Sequence, residues 1–147
     1  MTDAVTNPKM APIPRWQIIS LVIAGLQCLI WGVYIIVMPA AAAIMYGLDR
    51  PPQEIFLWQG TGLVIFLFGV GYLIASTNPR HHWVAILTGL LAKVLGPVGI
   101  VWSVMKGQVP STVLLLLPWN DVIWWLPFGL ILFRIFQERT GNAVNSR

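Results

Sequence analysis

From Trp16 to Met38 the chain runs 23 residues without an Asp, Glu, Lys, Arg or His. Two further runs, Glu54 to Ala75 and Trp83 to Met105, are nearly as clean; the third holds a single charge, Lys93. A helix that crosses a bilayer needs about 20 such residues. Three runs of this length leave little choice of solvent for the surface. The composition agrees: 57% of the 147 residues are hydrophobic and 10% charged, against about 25% charged in ordinary soluble domains. A soluble globule, a disordered chain and a coiled coil are excluded. The net charge of +4 does not point to nucleic acid, because the basic residues stand singly between apolar runs and form no stripe.

The sequence predicts an all-α integral membrane four-helix bundle with spans at 16–38, 54–75, 83–105 and 121–136. Residues 1–15 form an N-tail and 137–147 a polar C-tail expected to fray; 16–136 make one membrane domain. The first run exceeds the 7–15 residues of a signal-peptide core, so it reads as an uncleaved span. Pro39 ends it, and a loop through Asp49-Arg50-Pro51-Pro52 follows. In the last region Pro118-Trp119-Asn120-Asp121 interrupts the apolar pattern. The fourth span then starts at Asp121, with 113–117 near the interface, or a longer broken helix starts at Thr112. Lys9, Arg15, Arg80, Arg134, Arg139 and Arg147 fall on one side and only Arg50 and Lys106 on the other. The positive-inside rule places both termini in the cytoplasm. Trp16 and Trp83 at the inner face and Trp58, Trp102 and Trp119 at the outer face suit an aromatic belt.

Gly25 and Gly32, Gly62 and Gly69, and Gly89 and Gly96 each stand seven residues apart. Seven residues are two helical turns, so each pair shares a face. In lipid such small residues let helices approach closely, which marks all six as helix-packing positions. Gly25 and Gly62 also share the pattern Gly-Leu-x5-Gly-Val, which coincidence explains more readily than duplication.

Lys93 is the residue most at odds with its surroundings. Twelve residues, about 18 Å of helix, separate it from Met105, too far for its side chain to reach the outer interface. Intramembrane charges cost at least about 2.5–3.5 kcal/mol. It shares a face with Gly89 and Gly96, which points it into the bundle. Pro97 has no N–H for the carbonyl four residues back, and that carbonyl belongs to Lys93. Two readings stand: a polar intramembrane site, or a structural lysine tied to a neighbouring helix. Asp121 is the natural counter-charge, although capping preference favours a helix N-cap. A Lys93–Asp121 pair requires residues 119–121 to dip into the bundle. Gln59 and Asn120 complete the candidate polar site. Trp58, Trp102 and Trp124 are candidate pocket aromatics, with Glu54 above Gln59. Gln27, Trp31 and Tyr34 form a second polar-aromatic face that reads as packing.

No catalytic constellation and no metal site emerge. His81 and His82 read as solvated turn residues, and no histidine within a span is placed to hold haem. The single Cys28 sits in an apolar run and supports neither disulfide nor CxxC chemistry. No cofactor is expected. The expected partners are the lipid bilayer and either a second copy or another membrane protein, with no nucleic acid.

Trp58-Gln59-Gly60-Thr61-Gly62, Gly89-Leu90-Leu91-Ala92-Lys93-Val94-Leu95-Gly96-Pro97 and Pro118-Trp119-Asn120-Asp121-Val122-Ile123-Trp124-Trp125 resemble a group of small bacterial four-span membrane proteins. The resemblance implies a bacterial inner-membrane location and carries over no activity. Some members go by the label alkyl hydroperoxide reductase. That chemistry needs a reactive thiolate at a polar helix start, and Cys28 among Leu26, Leu29 and Ile30 does not fit it. Three functions are left open: a non-enzymatic accessory or assembly subunit; a small oligomeric transporter or channel with a polar site around Lys93; and a membrane enzyme or redox partner with a lipid or quinone ligand.

Overall fold

The structure, a computed structural model, describes residues 12–145, with the backbone alone for 142–145. Lys9 and Arg147, both counted toward orientation, lie outside the described residues, as does most of the N-tail. Every regular element among the described residues is helical. Helix α1 spans Arg15–Val37, α2 Pro39–Met45, α3 Ile55–Thr77 and α4 Trp83–Met105. A 3-10 turn over Ser111–Leu116 leads into the short α5, Leu117–Asn120; a second, Val122–Trp124, leads into α6, Trp125–Asn145.

Helices α1, α3 and α4, together with the stretch Ser111–Gly141, are each long and apolar enough to cross a membrane. The chain is therefore built as a multi-pass membrane protein. Its outer surface fits that reading: Ile30, Val37, Phe56, Leu126 and Phe133 are all more than half exposed, an arrangement water would penalise and lipid does not.

Four antiparallel crossings bring both ends of the described chain to one end of the bundle. There Arg134 lies over the Trp16 ring at 5.5 Å. The Arg80 guanidinium in the α3–α4 turn donates to both carboxylate oxygens of Glu138, at 2.6 and 3.0 Å. Arg139 donates to the Arg80 carbonyl and covers Trp83 at 4.8 Å. These ties carry α6 well past Phe136, so the expected fraying from Gln137 does not occur. The loop expected after α1 is also partly helical. Pro39 occupies the first position of α2, where its missing N–H costs nothing, and four alanines follow, of which Ala42 and Ala43 are fully buried.

The glycine pattern governs how α1 meets α3. A Cβ on Gly25 would fall 3.1 Å from the Gly69 carbonyl oxygen, and one on Gly32 would fall 2.7 Å from that of Gly62. The two pairs interlock crosswise, as antiparallel helices require. At Gly89 the Tyr72 ring occupies the space; Tyr72 in turn meets Phe128 edge-on, at 5.0 Å between centroids. Gly96 does not pack. A Cβ there would meet nothing within 4 Å, because α4 stands away from α3 in this half of the bundle. The main core (Leu21, Ala24, Tyr72, Ala75, Ile86, Phe128, Ile131 and Ile135) fills the half nearer the termini. The other half encloses a cavity.

Candidate functional site

The fourth crossing is discontinuous, and this break builds the site. Pro118 stands in the first turn of α5. At Asp121 the backbone leaves helical geometry (φ −125°, ψ −56°) and α5 ends. Non-helical backbone at membrane depth is tolerated only where protein supplies hydrogen-bond partners. Here neighbouring helices supply them. Gln27 Nε2 of α1 donates to the Trp119 carbonyl at 3.1 Å. Lys93 Nζ of α4 donates to the Asn120 carbonyl at 2.6 Å. Lys93 Nζ also lies 3.3 Å from Asp121 Oδ1, an ion pair whose side chains are 8% and 15% exposed. The carbonyl of Lys93, the one Pro97 leaves without a partner, accepts the Trp125 indole N–H at 2.8 Å.

Further side chains tighten the knot. Gln27 Nε2 reaches Asn120 Oδ1 at 3.4 Å, and Trp124 Nε1 donates to Gln27 Oε1 at 2.7 Å. Asn120 Nδ2 donates to the Tyr46 hydroxyl at 3.4 Å. Tyr46 sits at the end of α2, wedged edge-on between Trp31 and Trp58 with centroids 5.2 and 5.4 Å away. Its hydroxyl carries a proton of its own to donate. Gly47 turns the chain directly after it with φ +85°, and the Gly47 carbonyl accepts the Thr112 hydroxyl at 2.6 Å. That bond ties the α2 corner to the start of the descending segment.

The network forms the floor of a cavity of about 570 Å³ between α3, α4 and the 111–121 segment. Lys93, Asp121, Asn120, Tyr46 and Cys28 face into it from the floor; Trp58, Val64, Phe68, Tyr72, Ile100 and Val113 form its walls. On one side the lining residues are Thr61 and Val64 of α3 and Gly96 and Gly99 of α4, all exposed. The cavity therefore opens sideways between these two helices.

Of the residues singled out in the sequence, Lys93, Asn120 and Asp121 come together. Asp121 makes no capping bond; it faces Lys93 instead. Trp58 lines the cavity but spends its indole N–H on the Pro39 carbonyl, at 3.0 Å. Gln59 stands apart from the site: it donates to the Ile36 carbonyl at 2.8 Å, in the last turn of α1. Trp102 points outward, 59% exposed, beneath the Lys106 ammonium at 4.9 Å. Trp124 is buried beneath the floor rather than in the cavity wall. Gln27, which the sequence assigns to packing, belongs to this network, and Tyr46 is a residue that sequence reasoning does not single out. For Gln27 a signal existed: it lies twelve residues into α1 as Lys93 lies ten into α4, which puts both at one depth. For Tyr46 there was none, since its place depends on α2. Replacing Trp125 with Phe removes the indole donor to the Lys93 carbonyl and is expected to destabilise the fold by about 1–3 kcal/mol, read from unfolding in mixed micelles. Trp119→Phe, at a 70% exposed position, should cost far less.

The class defined by this fold and site is a four-crossing helical membrane protein with a charged pair at the floor of an intramembrane cavity. No protein-family model, no curated protein and no solved structure matches the chain.

Proposed function

We propose that this chain is a non-enzymatic accessory protein of a bacterial inner membrane, with both termini cytoplasmic, that holds a small amphipathic molecule inside the bilayer. It belongs on this reading with the small four-span bacterial proteins its motifs resemble. The observation that carries the proposal is the Lys93–Asp121 pair at the floor of an apolar-walled cavity of about 570 Å³. Volumes of roughly 300–1,000 Å³ with few, well-placed polar groups are typical of ligand pockets. Most polar groups of the floor hold the chain break in place, which suits a rigid receptor better than a reacting centre. The Arg15, Arg80, Arg134 and Arg139 cluster at the terminal end supports the cytoplasmic assignment.

The test is native mass spectrometry of the chain released from its own membrane after lipid exchange. The expected result is one small amphipathic molecule retained per chain, and its loss from a Lys93→Met, Asp121→Leu double variant that still folds. Equal retention in both proteins, or no retention by the wild type, would overturn the reading. A second reading, a small oligomeric transporter, draws on the discontinuous fourth crossing, since transporters build midplane sites from broken helices. It predicts proton- or anion-coupled uptake that the same double variant loses.

A further inference from the structure

We infer that the cavity takes an uncharged, carbonyl-bearing ring on a hydrocarbon tail, the chemistry of a lipid quinone, which reaches the floor sideways from the bilayer between α3 and α4. The inference deepens the pocket reading above and rests on it.

The floor's unused hydrogen-bonding capacity points to the head group. A lysine ammonium has three N–H donors. Two are engaged, on the Asn120 carbonyl and Asp121 Oδ1, which leaves one. The Tyr46 hydroxyl accepts from Asn120, and its own hydrogen has no acceptor among the described residues. Both groups line the cavity. Two free donors at one floor call for acceptor oxygens, which a carbonyl provides.

Charge narrows the class. Lys93 and Asp121 already neutralise each other at 3.3 Å. A carboxylate or phosphate head would meet Lys93 only by also approaching Asp121, and an ammonium head would meet the reverse. In a low-dielectric site a net charge added to a balanced pair is costly, whereas a neutral head costs no such penalty. The walls fit a planar ring: Trp58, Phe68 and Tyr72 all face the cavity, and aromatic faces favour offset or edge contacts with flat π-systems.

The route follows from the open side. Thr61, Val64, Gly96 and Gly99 line the cavity and are exposed. They lie within helices long enough to span a membrane, so the slot faces lipid. A Cβ at Gly96 or Gly99 would meet nothing within 4 Å. A side chain added at either position therefore starts in open space beside the slot rather than against a neighbouring helix.

The full chain in phosphatidylcholine nanodiscs, titrated with decylubiquinone and followed by tryptophan fluorescence, tests this. Laurate and dodecyltrimethylammonium serve as anionic and cationic comparators. The expected result is saturable quenching at one quinone per chain and at least tenfold weaker binding of both charged amphiphiles. Tyr46→Phe, and separately the Gly96→Leu, Gly99→Leu pair, should each raise the quinone Kd about tenfold or more. Tight binding of either charged amphiphile overturns the neutral head group and leaves the pocket reading standing. An unchanged Kd in the Gly96→Leu, Gly99→Leu protein overturns the placement in the slot. Saturable binding of none of the three probes overturns both this inference and the pocket reading.

Discussion

Lys93→Met is expected to destabilise the folded chain by about 3–5 kcal/mol, the cost of removing one partner from a buried ion pair. The pair's side chains are 8% and 15% exposed, so neither water nor salt screens the charge left behind. The substitution also strips the Asn120 carbonyl of its donor at the point where α5 breaks. Asp121→Leu should cost a similar amount by stranding the ammonium. The double variant Lys93→Met, Asp121→Leu should recover most of the loss, because apolar replacement of both members of a buried pair is often neutral or better. A residual cost of about 1–3 kcal/mol remains for the orphaned carbonyl. A double-mutant cycle of unfolding in mixed micelles measures the coupling. Additive single effects, each below about 1 kcal/mol, would show that the two charges do not depend on each other.

The cycle bears on how much of this site could be read from the chain alone. The span boundaries follow from bilayer thickness and from Pro39, and α1, α3 and α4 lie within about two residues of the expected limits. The freed carbonyl of Lys93 follows from Pro97 alone, since the missing N–H is a local fact. Its partner does not: Trp125 reaches it only because residues 111–124 descend into the bundle, which no local preference dictates. Asp121 shows the opposing case. Local capping preference favours an N-cap, and an intramembrane lysine on the neighbouring helix prevails because an unpaired buried charge costs more than a cap contributes. Gly89 and Gly96 share a spacing and a face, yet only Gly89 is covered. Periodicity identifies a face, but it does not tell where along the helix a neighbour stops touching it.

Gly32→Leu is expected to have the second large effect, about 3 kcal/mol or more, by forcing α1 and α3 apart. The atoms that an added Cβ would meet decide the size. At Gly32 two of the three nearest are backbone, the Gly62 carbonyl oxygen and the Phe66 amide nitrogen, each 2.7 Å away. No rotamer change moves them, so only a shift of the whole helix relieves the clash, and such overpacking costs about 1–3 kcal/mol even for small insertions. The shift cannot stay local. Seven residues earlier in α1 the seam is equally close, with a Cβ on Gly69 falling 2.8 Å from the Gly25 carbonyl oxygen and 2.9 Å from the Leu29 amide nitrogen, and Gln59 ties the far end of α1 to α3 through the Ile36 carbonyl. Opening the seam would also carry Gln27 away from the Trp119 carbonyl and loosen the floor of the cavity. On the pocket reading proposed above, Gly32→Leu should therefore weaken ligand retention as well as stability, although residue 32 does not line the cavity. Gly96→Ala supplies the contrast: it adds a methyl to open space and removes a helix-interior glycine, so it should stabilise by about 0.5–1 kcal/mol. Unfolding of the two variants side by side separates the explanations. If both shift stability equally, glycine matters here only through helix propensity; opposite signs are what a close α1–α3 seam beside an open α4 face requires.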